Sequence, residues 1–303
     1  MIAIKETEAL KTPLDFIRYA VTQSHGQSVF FGHGTDNPWD EFRWLVLGAL
    51  HLPFDLDDKY FHARLTLDER KMLTDLLKKR IEDKIPVPYL LNKALFCGLE
   101  FYVDERVLIP RSPISELIEN HFQPWIDASA VHQILDLCTG SGCIAIALAY
   151  AFEDAVVDAT DISTDALAVA KKNVKALDVE DRVSLIQSDV FDALPLTQYD
   201  LIVSNPPYVS SDEMKTLPQE YAHEPTLALE TGNQGMAIVD RMLQKAANYL
   251  SVHGLLVVEV GNTMPTLAEA YPDMPFTWLE FERGGDGVFL LTKQQLMDYF
   301  KGQ

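Results

Sequence analysis

Cysteine is scarce: the chain has three, Cys97, Cys138 and Cys143. An odd number, with none of the paired spacings of zinc sites or dithiol motifs, points away from a disulfide framework or a metal site and fits a reducing compartment. Long apolar runs are also missing, since nothing approaches the roughly eighteen residues of a membrane span. The start, Met1 to Lys11, carries Glu6 and Glu8 where a targeting segment would place a basic stretch ahead of an apolar one. These absences predict a cytoplasmic protein without membrane contact. Positive charge is the third deficit, with 25 Lys+Arg against 45 Asp+Glu. Residues 1–100 carry 13 basic and 15 acidic groups, so the remaining 203 carry 12 and 30. Such a surface repels duplex DNA and attracts a basic partner when ionic strength is low. Solubility alone is an equally good account of the acidity. Repeats and low-complexity segments are absent.

At 303 residues, with 48% apolar and 23% charged side chains, the chain is expected to fold as one large domain plus a smaller one. From Pro13 to Lys84 the apolar spacing is helical: Leu14, Ile17, Ala20, Val21; then Trp44, Leu45, Leu47; then Leu65, Met72, Leu73, Leu76, Leu77, Ile81. Pro86 and Pro88 are expected to stop this module and begin a linker. Residues 96–109 read as a β-hairpin, with Leu99, Phe101 and Val103 on one arm, Val107 and Ile109 on the other, and Asp104-Glu105 near the turn. Beyond Pro110, short apolar runs alternate with amphipathic stretches, which predicts a mostly parallel sheet. Strands are placed near 133–138, 155–160, 182–187, 199–204, 254–260, 277–282 and 286–292, and helices near 142–152, 163–177 and 235–250. The turn Arg283-Gly284-Gly285-Asp286-Gly287 is too tight for a helical crossover, so the last two strands should be antiparallel. The resulting division is a helical domain over 1–88, a linker with the hairpin over 89–112, and a sheet domain over 113–303.

The chemistry gathers at the strand ends. The first strand of the sheet domain runs into Asp136-Leu137-Cys138-Thr139-Gly140-Ser141-Gly142-Cys143 and then a helical pattern. Glycines at such a turn let a ligand approach the backbone at the head of a helix. A dinucleotide site would show a third glycine, Gly-x-Gly-x-x-Gly. With only Gly140 and Gly142 present, the better match is a loop for S-adenosylmethionine, which has no phosphate. A tight structural turn is the competing reading. Asp161 ends the second strand roughly twenty residues on, where a nucleotide-binding sheet places its ribose acid. Helix capping falls more naturally to Ser163. Asp189 ends the third strand and could accept the adenine amino group, with Val190 or Phe191 packed on the ring; a solvated loop acid is the alternative. The fourth strand opens into Asn205-Pro206-Pro207-Tyr208. Two prolines fix the backbone and donate nothing, so the Asn205 side-chain oxygen and the Pro206 carbonyl can each accept one N–H of a planar NH2 group. Oriented in this way, an amide or ring amino nitrogen can turn its lone pair towards an electrophilic methyl carbon. Tyr208 is expected to form a wall of the pocket.

On these residues the chain resembles the seven-stranded class I S-adenosylmethionine-dependent methyltransferases, with a Rossmann-like domain, and within them the protein-glutamine N5-methyltransferases. Asn-Pro-Pro-Tyr is shared with DNA amino-methyltransferases, so it marks the nucleophile class. Outside it, Gly98-Leu99-Glu100-Phe101-Tyr102-Val103, then Val107-Leu108-Ile109-Pro110-Arg111, and later Glu224-Pro225 with Ala228-Leu229 resemble the glutamine methyltransferase pattern. Release-factor enzymes follow Pro-Arg with Pro, an acid, Thr and Glu. The present Ser112-Pro113-Ile114-Ser115-Glu116 is similar to the branch acting on large-subunit ribosomal protein three. A Gly often replaces Cys138 in the release-factor group. The resemblance implies cofactor contacts at Cys138, Thr139, Gly140, Ser141, Gly142, Asp161, Asp189, Val190 and Asn205. It implies that Asn205, Pro206, Pro207 and Tyr208 hold the substrate amide, with S-adenosylhomocysteine as product and no metal. It further implies a basic ribosomal protein as partner, with ribosomal RNA nearby as an open option, and substrate recognition by the helical domain.

Three other readings accompany it: a release-factor glutamine methyltransferase, a DNA amino-methyltransferase, which the acidic C-terminal two-thirds argues against, and a non-catalytic S-adenosylmethionine-binding assembly factor, which would not need Asn-Pro-Pro-Tyr. His223 is read as a loop histidine at the pocket rim, because a methylated amide loses its proton without a tuned base. Arg111 is open between a substrate clamp and a partner for the acidic sheet edge. Arg70, Lys71, Lys78, Lys79, Arg80 and Lys84 read as a solvated helix face.

Overall fold

The computed structural model describes residues 7–301. The acidic start read at Met1 to Lys11 therefore lies mostly outside the described residues. The chain divides into two compact units. One takes the residues up to Ala94 with Val103–Glu105 and Pro218–His223; the other takes Leu95–Tyr102, Arg106–Leu217 and everything from Glu224.

The first unit is built on α1 (Pro13–Ser24), α2 (Pro38–Ala49) and α3 (Leu67–Ile81). Thr12 with Asp15 and Thr66 with Glu69 form reciprocal capping boxes, and Asn37 caps α2, so each start is written in the residues just ahead of the apolar pattern. Phe16, Ile17 and Ala20 of α1, Phe42, Leu45 and Val46 of α2, and Leu73, Leu77 and Ile81 of α3 form one buried cluster. Pro86 and Pro88 do not begin a linker. Pro86 precedes a short helix α4 (Val87–Leu91), and Pro88 stands in its first turn, where its missing N–H has no intrahelical partner to lose. The basic run is a second correction. Arg80 is fully buried, donating to Glu41, to Glu220 at 3.1 Å and to the Phe30 carbonyl at 2.6 Å. Lys84 is buried too and reaches the Gln27 carbonyl. Glu220 also accepts the Phe30 N–H at 2.9 Å, which ties residues 218–223 into this unit.

The hairpin is real but displaced. Its strands are β1 (Ala94–Phe96) and β2 (Leu99–Phe101). The turn is Cys97-Gly98, with φ 48° and 73°, the paired left-handed conformation that two-residue hairpin loops prefer. Val107 and Ile109 alternate in burial because they pack inward from irregular chain, without belonging to a strand.

The second unit contains a seven-stranded sheet in the order β5-β4-β3-β6-β7-β9-β8, formed by β3 (Gln133–Leu137), β4 (Val156–Asp161), β5 (Val183–Gln187), β6 (Tyr199–Ser204), β7 (Leu250–Glu259), β8 (Thr277–Leu279) and β9 (Val288–Thr292). All pairings are parallel except those of β9, which runs antiparallel to both β7 and β8. Alternate residues serve opposite faces. Ile134, Leu201, Val203, Leu255 and Val257 join the cluster of α6 (Cys143–Ala151). Leu135, Leu137, Ile202, Leu256 and Val258 join that of α9 (Ala237–Tyr249), which also takes Leu296 from α11 (Lys293–Lys301). The remaining helices are α5 (Ile114–Glu119), α7 (Thr164–Ala176), α8 (Ser211–Met214) and α10 (Met264–Ala270). β7 starts four residues earlier than expected, directly after α9. Strand order reverses at β3, which lies between β4 and β6, so a crevice opens beyond the carboxyl ends of these strands. No helix among the described residues is long and apolar enough to cross a membrane.

Candidate active site

A cavity of about 170 Å³ sits in that crevice, wholly within the sheet unit. The loop after β3 forms its floor. Gly140, at φ 56°, has no atom within 4 Å of the place a Cβ would occupy, so the space above it is open. Gly142, at φ 80°, does different work: a Cβ there would stand 3.3 Å from the Ala170 Cβ, so this glycine lets α7 pack close. Its residue opens α6 without a side-chain cap. The cap comes from the strand below. Asp136, fully buried, accepts the Ala145 N–H at 3.1 Å and the Thr139 hydroxyl. Burial pushes its carboxyl up to about 7, against the pull of those two bonds. The role of Asp136 is not evident from its neighbours in sequence; an acid inside the apolar run Ile134-Leu135-Asp136-Leu137 is the one signal of it.

Asp161 closes the loop from the side. One carboxylate oxygen accepts the Gly140 N–H and the other the Ser163 N–H, both at 2.9 Å. With the Ile162 N–H as a third backbone donor, the carboxylate still has acceptor capacity to spare. Burial raises its pKa, and the backbone donors oppose the rise. Ser163 caps α7 through the Ala166 N–H, as expected. Asp189 and Val190 line the same cavity. Asp189 is paired with Arg241 of α9 at 2.7 Å, and Arg241 also reaches the Asp189 carbonyl at 3.2 Å. Sequence reading missed this arginine, because 52 residues separate the partners. Phe191 is no candidate for the ring: it is buried and stacked on Tyr249, with centroids 4.5 Å apart.

From β6, Asn205 and Pro207 line the cavity together with Cys138, Thr139, Gly140, Ser141 and Asp161. The Ser204 hydroxyl donates to the Leu137 carbonyl at 2.7 Å, which binds the ends of β6 and β3 together. Gly142, Pro206 and Tyr208 are not among the lining residues. Tyr208 instead donates its hydroxyl to Glu259 at 2.9 Å, at the end of β7, and its ring stands where a Cβ on Gly261 would come within 2.6 Å. Glu259 also accepts the Ser112 hydroxyl at 2.5 Å; burial raises its carboxyl to about 7, with both hydroxyls and the charge of Arg111 opposing.

The opposite wall comes from Arg106–Leu108, Pro110–Ser112, Pro225, Leu227 and Ala228. Arg111 lines the cavity, and its ion pair is made with Glu224 instead of an acid of the sheet edge. It forms a two-pronged pair with the buried Glu224, both bonds 2.6 Å, and Glu224 takes the Ile109 N–H as well at 3.1 Å. His223 is not among the lining residues; its ring is bonded to the Asp83 carbonyl at 2.8 Å, within the helical unit. All three cysteines are free, and burial raises every thiol, Cys97 and Cys143 to about 12, so none is a ready thiolate nucleophile. No group of three or more His, Cys, Asp or Glu among the described residues is placed to hold a metal.

This strand order, with the antiparallel β9 inserted beside β7 and the cavity at the β3–β6 switch, is that of the class I S-adenosylmethionine-dependent methyltransferases. The Methyltransferase small domain family matches residues 115–233. Two curated relatives align almost end to end: the ribosomal protein uL3 glutamine methyltransferase of Francisella tularensis subsp. tularensis is 49% identical over 291 residues, covering 96% of this chain and 93% of that one. The enzyme of the same name from Bordetella pertussis is 47% identical over 290 residues, covering 95% and 97%. The chain belongs to the ribosomal protein uL3 glutamine methyltransferase family. Among solved structures, the hMettl16 catalytic domain, in complex with a MAT2A 3'UTR hairpin, covers 75% of this chain and 81% of that one at 16% identity with a TM-score of 0.49.

Proposed function

We propose that this chain methylates the side-chain amide nitrogen of a glutamine in large-subunit ribosomal protein uL3. The observation that carries the reading is the placement of Asn205 and Pro207 in the wall of the cavity that holds Gly140 and Asp161, at adjacent strand ends. Open space above Gly140 and a carboxylate fixed at its edge suit a nucleoside with an extended thioether arm. When bound, S-adenosylmethionine supplies a methyl carbon already activated by a cationic sulfur, and S-adenosylhomocysteine is left. Cys138–Ser141 would lie along its amino-acid and ribose parts, with Gly142 packing the loop against α7. Asp161 would accept the ribose hydroxyls with its spare lone pairs, and Asp189, held by Arg241, would take the adenine amino group beside Val190. Asn205 also borders this cradle.

The Asn205 side-chain oxygen and the Pro206 carbonyl each accept an N–H of the glutamine amide, which fixes the nitrogen and turns its lone pair out of conjugation. Pro207 fixes the turn, and Tyr208 supports it from outside the cavity through Glu259. The proton leaves from a strongly acidic alkylated amide to water, so His223 has no part. Recognition of a basic protein would fall to residues 1–88 with the hairpin region 89–112, in a cytoplasmic setting and without DNA. Of the basic run, Arg70, Lys71, Lys78 and Lys79 remain for a trial of ribosomal RNA contact, since Arg80 and Lys84 are buried.

The test offers labelled methyl donor with purified uL3, the other ribosomal proteins, release factors and DNA in separate reactions. Label on a uL3 glutamine, located by mass spectrometry, is the expected result. Label on release factors alone would assign the chain to the sister activity, and no label anywhere would leave a nucleoside-binding protein.

A further inference from the structure

Glu259 is a buried carboxylate that takes no direct part in the proposed methyl transfer, and its two donors come from different segments, one lining the cavity and one behind it. Tyr208 closes the Asn205–Tyr208 turn, whereas Ser112 ends the strap 106–112 that lines the cavity opposite the glycine loop. A second carboxylate holds the same strap a few residues earlier, where Glu224 takes the Ile109 N–H and the Arg111 guanidinium. The strap is thus held at Ile109 and Arg111 by one carboxylate and at Ser112 by the other, and the Glu259 point connects it to the turn that presents the amide acceptors. The Tyr208 ring has little freedom of its own, since Gly261 packs under it and the Thr263 hydroxyl donates to the Tyr208 carbonyl at 2.7 Å.

We propose that Glu259 is a positioning residue for the methyl acceptor: its carboxylate bridges Ser112 and Tyr208 and so sets the spacing between the strap and the amide-holding turn. The inference rests on the reading of Asn205 and Pro206 as the amide holders. Serine is what allows the bridge here, because a proline at position 112 has no group to donate. Ionised, Glu259 accepts from both hydroxyls; protonated, it must use one oxygen as a donor, and one of the two bonds has to be reversed or lost. Arg111, already neutralised by Glu224, is the charged group that acts on it.

The experiment measures single-turnover methylation of a uL3 substrate, cofactor affinity by calorimetry and the pH–rate profile for the full chain. Glu259→Ala should lower the rate about 10- to 100-fold, the scale of a small misplacement of reacting groups, with cofactor affinity within about 2-fold. Glu259→Gln should recover part of the rate, since its amide can accept from one hydroxyl and donate to the other, and should lose the wild-type rise in rate through pH ~7. Unchanged turnover in Glu259→Ala, a matching loss of cofactor affinity, or the same pH inflection in Glu259→Gln would each overturn the proposal. If Glu259→Ala does not fold, Ser112→Ala and Tyr208→Phe decide, each removing one hydroxyl. Their combined loss should be no larger than the greater single loss, and additive losses would refute a shared bridge. A wild-type chain that leaves glutamine unmethylated overturns the underlying reading and this inference together, whereas an active wild type with an inactive Asn205→Ala and a normal Glu259→Ala overturns the inference alone.

Discussion

The two loop glycines lie two residues apart and should fail in opposite ways. Both have positive φ, 56° at Gly140 and 80° at Gly142, so alanine at either position carries roughly 1–2 kcal/mol of left-handed backbone strain. Beyond that shared cost they diverge. The added methyl at Gly140 meets no protein atom within 4 Å and projects into the cavity, so the fold bears the strain alone. A ligand that lies on that backbone would be overpacked, at about 1–3 kcal/mol, or roughly 5- to 150-fold in Kd. The added methyl at Gly142 would meet Ala170 Cβ at 3.3 Å and Ile146 Cδ1 at 3.5 Å, inside the helix packing. There the penalty falls on stability, with the cavity unchanged. Calorimetric titration with S-adenosylhomocysteine, paired with urea denaturation, separates the two. Gly140→Ala should lose affinity with a modest shift in midpoint, and Gly142→Ala should lose stability with affinity within about 2-fold. Wild-type affinity in Gly140→Ala, or a larger affinity loss in Gly142→Ala, would refute the placement of the cofactor over Gly140.

Asn205→Ala should abolish methyl transfer while cofactor Kd stays within about 2-fold; unchanged turnover would remove its role. Arg80→Met strands two buried carboxylates and should destabilise the helical unit by about 3–5 kcal/mol, read by denaturation through Trp39 and Trp44. Glu41 already has a raised pKa from burial, and the loss of Arg80 removes the charge that opposes the rise. The folded variant then retains a proton the unfolded chain gives up, so its deficit should grow as pH rises through the folded pKa and shrink in acid; a deficit independent of pH would contradict this. Arg241→Ala should change the melting temperature little, because its pair with Asp189 is partly exposed, yet weaken cofactor binding several-fold by freeing Asp189, with both effects read by thermal melting and titration.

Sequence legibility followed the range of the forces involved. The strands ending at Leu137, Asp161 and Ser204 were readable because each is an apolar run that stops at a glycine, an acid or a proline with a local conformational reason. The cap at Ser163 was equally local. The hairpin was misplaced because charge at Asp104-Glu105 was weighed over backbone conformation at Cys97-Gly98, and a non-glycine residue at positive φ leaves little trace in composition. Arg80 read as solvated because its second acid, Glu220, lies 140 residues away. Tyr208 was placed in the cavity wall for the same kind of reason. Its hydroxyl is claimed by Glu259, 51 residues further on, and nothing in Asn-Pro-Pro-Tyr announces that pull.

The return of residues 218–223 to the helical unit has a consequence for how the chain is made. Synthesis delivers α1 to α4 first, with Arg80 able to meet Glu41 but not Glu220, and with the Phe30 N–H still unclaimed. The nascent helical bundle therefore carries an unfinished centre until Pro218–His223, well beyond β6, have been translated. A fragment ending near Ala94 would keep that vacancy permanently, so dissection of this enzyme into separately expressed halves should yield a soft, protease-sensitive N-terminal piece that a peptide spanning Pro218–His223 can firm up.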